Sequence, residues 1–410
     1  MDFMDKHFPT EFFISNRASL RELFTGTAPI VITANGLLQR NGDGTYPFQQ
    51  DASFWYLTGI NEADMILVMD KDTEYLIAPS ISEYQNIFDG SQDTDELKKQ
   101  SGVDLILDSK TGWKQLSTKL KKAKQVATLT ASPSYNKTYG MYVNPARSVL
   151  IQRIKEINPN LQIHDLCRHM ARLRSIKQPV ELEAIQQAID LTMAAIRTVK
   201  SKLAKFKYEF EVEAEITSSF LRHGAINAWK PIIASGVNAC TLHSRDNLSE
   251  LKPGNLIVID VGAEYKHYCA DITRTFSVTS LASRRSQAVH SAVLKAQDFA
   301  LSLQKPGALI GDNEKKIETY IGECLRELGL VRTIDRESVR QYFPHATSHF
   351  LGLNPHDTGD YGQPLEPGMV LTVEPGIYIP KESLGVRIED DIVITADGYR
   401  NLSSRLPRRL

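Results

Sequence analysis

Four carboxylate residues, each set within an apolar and β-branched stretch, constrain the fold of the C-terminal part of this chain more than any other feature. They are Asp260, Asp271, Glu374 and Glu389. A buried carboxylate is costly unless a cation or hydrogen bonds neutralise it. Any one of them alone could pair with an arginine or cap a turn. Four together should raise one another's pKa values unless a multivalent cation lies between them.

A histidine cluster lies between the two pairs of carboxylates. Three of the ten histidines fall within the stretch HATSHFLGLNPH, which begins at His345 and ends at His356. A lone histidine is more often structural than a ligand, but a cluster in a loop favours a site. Four carboxylates with one imidazole form a hard donor set that suits Mn²⁺, Co²⁺ or Zn²⁺ in a two-metal centre. Two such ions, held ~3.5–4 Å apart, can activate a shared hydroxide at neutral pH.

Composition excludes several classes of protein. The 410 residues are 42% hydrophobic and 24% charged, as in ordinary globular proteins. Lys plus Arg (48) nearly balance Asp plus Glu (49), so we expect no nucleic-acid partner. Four cysteines without a CxxC pair do not form a disulfide framework. No apolar run approaches the ~20 residues of a membrane span, and the start, MDFMDKHFP, lacks a secretory h-region; we expect a cytoplasmic protein without a membrane partner.

The pattern along the chain predicts an α/β (α+β) protein of two domains, residues 1–168 and 169–410. In the first, short apolar strands alternate with polar helical stretches. The second begins with predicted helices at 178–205 and 209–223, and an apolar stripe at helical spacing marks the first of them. Single strands are predicted at 268–278 and 386–395, each containing one of the four carboxylates.

With their surrounding residues, the four carboxylates and His349 resemble the five-ligand signature of the pita-bread metallopeptidases, family M24. The matching motifs are IDVG, ADITRTF, SHFLGL, EPGMVLTVEPG and RIEDD. This family includes methionine aminopeptidase, prolidase and aminopeptidase P. The stretch YPFQQDASFWYLTG, residues 46–59, is similar to the N-terminal signature of aminopeptidase P. The resemblance implies a small N-terminal α/β creatinase-like domain followed by a pita-bread catalytic domain.

The resemblance also implies a role for each ligand. Asp271 and Glu389 would bridge two divalent ions, usually Mn²⁺ in this family, with Co²⁺ or Zn²⁺ as alternatives. Asp260 would chelate one ion, and His349 with Glu374 would complete the other. Glu374 would also act as the general base.

Four further residues match positions outside the ligand set. His243 would lie near the scissile bond, and His356 would stabilise the carbonyl oxygen or the developing gem-diolate. His345 would line the proline-side pocket, and Arg387 would lie beside the metal centre. For His345 and Arg387, a supporting role is nearly as well favoured.

The implied activity is that of an Xaa-Pro aminopeptidase, which removes the first residue of peptides with proline second by attack of a metal-bridging hydroxide. A bond to proline is a tertiary amide without an N–H, so a dedicated pocket is needed. Prolidase, which cleaves Xaa-Pro dipeptides, is the alternative; Ser348 and the 46–59 stretch favour the aminopeptidase. Metal-free creatinase and non-catalytic binding domains are disfavoured because all five ligands are present. Members of this family are often dimers or tetramers, so the resemblance implies a homodimer or homotetramer.

Overall fold

The computed structural model of this protein describes residues 8–71, 73–90, 93–130, 140–279 and 282–410. Most of the N-terminal stretch used above to argue against a secretory signal lies outside these ranges. The chain forms two compact units that divide between Leu173 and Arg174. Across the described ranges, no helix is long and apolar enough to cross a membrane.

The N-terminal unit is built on a six-stranded mixed sheet. Its strands are β1 (Ile30–Thr33), β4 (Ile66–Met69), β5 (Glu74–Ala78), β6 (Leu105–Asp108), β7 (Gln125–Thr128) and β8 (Gln162–Asp165), and a separate hairpin is formed by β2 (Gln39–Asn41) and β3 (Gly44–Thr45). The order across the sheet is β6-β5-β4-β1-β7-β8, in which β4 is antiparallel to both β1 and β5. The helices are α1 (Thr10–Leu23), α2 (Ala52–Thr58), α3 (Glu83–Asp89), α4 (Thr94–Ser101), α5 (Ser109–Lys122) and α6 (Ala146–Ile157). A further helix, α7 (Cys167–Ser175), runs across the division between the units.

The aromatic stretch at 46–59 contains the capped helix α2. The Asp51 side chain accepts hydrogen bonds from the backbone N–H groups of Ser53 and Phe54, at 2.9 and 3.0 Å. Phe54, Trp55 and Tyr56 are buried. These aromatic residues therefore belong to the core of the N-terminal unit.

The C-terminal unit mixes long helices with short antiparallel sheets. Its helices are α8 (Pro179–Lys202), α9 (Glu209–Arg222), α10 (Arg284–Ser302), α11 (Ile310–Glu327) and α12 (Arg336–Arg340). Its strands are β9 (Ile226–Asn227), β10 (Ile232–Ser235), β11 (Leu256–Val261), β12 (Ala263–Tyr265), β13 (Tyr268–Cys269), β14 (Ile272–Ser277), β15 (Val370–Val373), β16 (Gly376–Ile379), β17 (Leu384–Arg387), β18 (Asp390–Ile394) and β19 (Tyr399–Asn401). They form sheets in the orders β10-β11-β14, β13-β12-β9, β15-β18-β19 and β16-β17. The faces of α10 and α11 cover a large apolar core with β15, β16 and β17.

The prediction of two continuous strands at 268–278 and 386–395 is wrong at one point in each. The first breaks at residues 270–271, between β13 and β14, and the second at residues 388–389, between β17 and β18. The Asp271 N–H donates to the Asp391 side chain at 3.0 Å, outside the strand ladder. The Glu389 N–H donates to the Thr273 carbonyl at 3.1 Å. Each break therefore falls at a carboxylate named above.

A buried glutamate at the start of α8 makes stability depend on pH. Glu181 is 1% exposed, and its carboxylate accepts hydrogen bonds from the Gln178 N–H and the Tyr268 hydroxyl, both at 2.8 Å. Burial raises the pKa of Glu181 from 4.5 to about 7. The folded protein therefore holds this proton more tightly than the unfolded chain does. The stabilisation that protonated Glu181 gives the fold is complete below pH 4.5 and is lost as pH rises through 7.

Between pH 5 and pH 8, the free energy of unfolding should fall by about 2.5 kcal/mol through this group. Glu181→Gln, whose amide oxygen can still accept the Gln178 N–H while its NH₂ group faces the Tyr268 hydroxyl, should lack that decrease. Urea unfolding at the two pH values measures the difference, with the exposed Glu183→Gln as the matched control. Equal pH dependence in wild type and Glu181→Gln would contradict the prediction.

Candidate metal centre

Three predicted ligands meet at one point of the C-terminal unit. Asp271, His349 and Glu389 each bring one ligand atom within 4.8 Å of the other two. His349 Nε2 lies 3.5 Å from Asp271 Oδ2 and 3.4 Å from Glu374 Oε1. Glu374 follows the last residue of β15 directly, so a fourth predicted ligand borders the same point.

Asp260 reaches the cluster from the central strand of its sheet. In the register of β11 and β14, Asp260 lies opposite Thr273, two residues beyond Asp271. Its Oδ2 accepts a hydrogen bond from Arg387 Nη2 at 2.5 Å. Its Oδ1 is buried and has no hydrogen-bond partner among the described residues. A buried carboxylate oxygen without a donor fits a cation ligand.

The His349 ring presents a lone pair to the carboxylates. Its Nδ1 lies 3.1 Å from the Phe350 carbonyl oxygen, which can only accept, so Nδ1 carries the proton. Burial, followed by the charge of the nearby His356, lowers the pKa of His349 to about 3, so the ring is neutral. Nε2 is therefore free to bind a metal, and the bonded Nδ1 fixes the orientation of the ring.

The carboxylates of the cluster resist ionising together. Burial, followed by the charge of Glu389, raises the pKa of Asp271 well above its usual range, and the same two causes act on Glu374. Burial and the charge of Asp260 raise the pKa of Glu389 to about 8. A divalent cation between these groups would remove this repulsion. The donor set of carboxylate oxygens and one imidazole nitrogen fits a hard divalent ion.

The three side chains of the acidic triplet 389–391 each have a different hydrogen-bond partner. Glu389 Oε2 accepts the Thr273 hydroxyl at 2.6 Å. Asp391 accepts the Asp271 N–H, as described above. Asp390 belongs to a separate buried network, in which its carboxylate accepts hydrogen bonds from the side chains of Arg274, Ser403, Asn401 and Gln297. Only the first residue of the triplet joins the ligand cluster itself.

His345 and Arg387 meet through a tyrosine. Arg387 Nη1 donates to the Tyr378 hydroxyl at 2.9 Å, and that hydroxyl lies 2.8 Å from His345 Nε2. Since arginine only donates, the tyrosine proton is available to His345 Nε2, and the His345 proton is placed on Nδ1. His345 Nδ1 lies 2.8 Å from the Ala346 carbonyl and 3.8 Å from Glu374 Oε2. The predicted pair therefore lies beside the carboxylate cluster.

His356 and His243 lie at the exposed side of the cluster. The His356 ring stacks on the His349 ring, with centroids 4.1 Å apart and planes inclined by 21°. Partial burial lowers the pKa of His243. The charges of Arg245 and Arg387 lower it too, whereas the charge of Asp260 raises it. Both histidines are exposed, as groups that contact a substrate must be. The structure thus brings all nine predicted residues to one region of the C-terminal unit.

Sequence reasoning missed three supporting residues, Thr273, Tyr378 and Asp391. Thr273 binds Glu389 and also accepts from Arg387 Nε at 3.3 Å. A signal for Thr273 was present, because it lies two residues after Asp271 and could share its face of a strand. Asp391, two residues after Glu389 in the other predicted strand, had the same signal. Tyr378 had none, because its link to the site is through Arg387 and His345, 9 and 33 residues away.

The chain matches known proteins over both of its units. The family model described as Metallopeptidase family M24 matches residues 183–396, and that of Aminopeptidase P, N-terminal domain, matches residues 13–128. Xaa-Pro aminopeptidase of Escherichia coli (strain K12) is 31% identical over 97% of this chain and 95% of that protein. Two solved structures are similar at 30% identity, each covering 98% of this chain and 97% of the other. They are E. coli aminopeptidase P with the inhibitor Pro-Leu (TM-score 0.86) and zinc-substituted E. coli aminopeptidase P in complex with product (TM-score 0.85). The predicted fold class is confirmed.

Proposed function

Because this chain belongs to metallopeptidase family M24, we propose that it is an Xaa-Pro aminopeptidase, which hydrolyses the first bond of peptides with proline at the second position. The observation that carries the proposal is the meeting of His349 Nε2 with Asp271 and Glu374 at 3.4–3.5 Å, within a chain that matches aminopeptidase P over both units. The metallopeptidase match and the donor set both support use of a divalent metal.

We propose that two ions bind, most simply Mn²⁺, with Asp271 and Glu389 shared between them. Asp260 would complete the coordination of the first ion, and His349 with Glu374 would complete that of the second. When bound, the ions would supply a nucleophilic hydroxide at neutral pH and polarise the scissile carbonyl. The buried Asp260 Oδ1, which lacks a partner among the described residues, supports this assignment. A relative has been solved in zinc-substituted form, so Zn²⁺ is the first alternative to test.

Glu374 and the four predicted residues outside the ligand set would act on the substrate or support the groups that do. Glu374, as the general base, would accept a proton from the nucleophile and pass it to the departing proline nitrogen. His356, which is exposed beside His349, would donate a hydrogen bond to the developing oxyanion. His243 would lie near the scissile bond, and His345 would line the pocket for the proline ring. Arg387 neutralises Asp260 and aligns Tyr378.

Substrate length tests the proposal. After chelator treatment and return of Mn²⁺, we expect kcat/KM for an Xaa-Pro-Yaa tripeptide to exceed that for the Xaa-Pro dipeptide by at least about tenfold, or ~1.4 kcal/mol of transition-state binding. An Xaa-Ala-Yaa tripeptide is the matched control for the proline requirement. Preference for the dipeptide would identify a prolidase instead. Hydrolysis of neither proline peptide, with metal bound, would refute the proposal.

We also propose that the protein forms a homodimer or homotetramer. Helix α3 supports this, because Tyr84, Ile87 and Phe88 are 71%, 80% and 68% exposed in the single chain. Apolar side chains grouped in this way are typical of an interaction surface. The cytoplasmic location stays a prediction from the sequence.

A further inference from the structure

The loop that carries His345 and His349 is held from its outer side by helix α11. The backbone N–H of Thr347, between the two histidines, donates to Glu314 Oε1 at 2.8 Å. The Thr347 hydroxyl lies 3.3 Å from Glu314 Oε2. Thr347 is 0% exposed, so its N–H would be buried and unsatisfied without this carboxylate.

Thr347 is also bonded on its inner side. Its carbonyl accepts the backbone N–H of Glu374 at 2.8 Å. A single residue therefore connects Glu314, which is not one of the proposed ligands, to the proposed general base. A bond from an N–H to a carboxylate is charge-assisted and is stronger than a neutral one.

An arginine holds the start of the same loop. Arg340 Nη1 donates to the carbonyl of His345 at 2.8 Å. Its Nε and Nη2 bind Glu318 Oε2 at 3.1 and 2.5 Å. Glu318 follows Glu314 by four residues on α11, so the two carboxylates lie on one face of the helix. Two consecutive turns of α11 therefore fix two points of one loop.

We propose that Glu314 and Arg340 are positioning residues that set the placement of His345 relative to Glu374. His345 Nδ1 and Glu374 Oε2 lie 3.8 Å apart, and each residue's backbone is held by one of these contacts, directly or through Thr347. In the proposed function, on which this inference rests, His345 borders the proline ring and Glu374 transfers the proton to its nitrogen. A small displacement of either group would lower the rate of the chemical step more than it would weaken substrate binding.

Glu314→Gln tests the proposal with little change of shape. The amide oxygen can still accept one bond, but the charge assistance is lost. We expect kcat for the Xaa-Pro-Yaa tripeptide to fall about five- to twentyfold, with KM changed less than twofold and metal content unchanged. Arg340→Met should act in the same direction, and Arg340→Lys should restore part of the loss. Glu323→Gln, at an exposed position of the same helix, is the matched control.

Hydrogen exchange supplies a readout that does not depend on activity. Amides of 345–349 and Glu374 should exchange at least about tenfold faster in Glu314→Gln than in Glu323→Gln. Unchanged exchange, unchanged kcat, or a fall in kcat that merely follows loss of metal or of folded protein would each overturn the proposal. An inert wild type would instead refute the proposed function, so the two failures are distinguishable.

Discussion

Glu374→Gln should lower kcat on an Xaa-Pro-Yaa tripeptide by about a thousandfold or more. Glutamine keeps the shape of the side chain and the N–H bond to the Thr347 carbonyl, but it cannot transfer a proton. General acid–base catalysis contributes typically ~10²–10⁴-fold, and loss of one anionic metal ligand adds to that. The fold should survive, because the change removes one of several buried, mutually repelling charges.

Steady-state kinetics with metal in excess, together with metal content and the thermal midpoint, measure the effect. Glu382→Gln is a suitable control, because it lies in a half-exposed ion pair with Arg285. Such pairs contribute ~0–1 kcal/mol and should leave kcat unchanged. Retained turnover in Glu374→Gln would overturn the assignment of this residue as base and ligand.

Removing and restoring the metal should produce the second large effect. A chelated protein should be inactive. Returning Mn²⁺ to a hundred times its Kd should restore turnover and raise the free energy of unfolding by about 2.7 kcal/mol, since the ion binds only the folded site. For a unit of this size, that corresponds to a rise of roughly 5–10 °C in the thermal midpoint.

Asp271→Asn separates a metal-centre effect from general ion binding. Asp271 is the proposed ligand shared by the two ions, and asparagine keeps the backbone N–H bond to Asp391. The variant should show neither the rise in midpoint nor the return of activity at the same Mn²⁺ concentration. The exposed Asp312→Asn should behave as wild type. An equal midpoint shift in Asp271→Asn would place the metal elsewhere.

The candidate ligands could be predicted because their chemistry conflicts with their surroundings. Asp260 and Glu374 stand out in apolar strands whatever the fold, and the motif resemblance gave the order of all five ligands. The interruptions at Asp271 and Glu389 could not be predicted in the same way. Alternation of side chains continues through both stretches, and the breaks depend on bonds to Asp391 and Thr273, which come from distant segments.

The supporting residues were harder to find for a different reason. Glu314 and Arg340 occur in ordinary amphipathic helices, where a glutamate or an arginine is usually solvated. Only the packed structure shows that Thr347 and the His345 carbonyl lie within hydrogen-bonding distance of them. Tyr378 is similar, because its hydroxyl gains a role only when Arg387 and His345 lie on either side of it.

The acidic triplet 389–391 limits how this enzyme could be redesigned. The three adjacent acidic residues have partners that cannot be exchanged: a threonine hydroxyl, an arginine-centred network and a backbone amide, in that order. Inserting or deleting one residue in β17 or β18 would shift the strand register by one position. Each acidic side chain would then face the partner of its neighbour, although the composition of the motif would be unchanged. Libraries that vary length should therefore leave 384–394 intact and change substrate preference by point substitution around the exposed histidines.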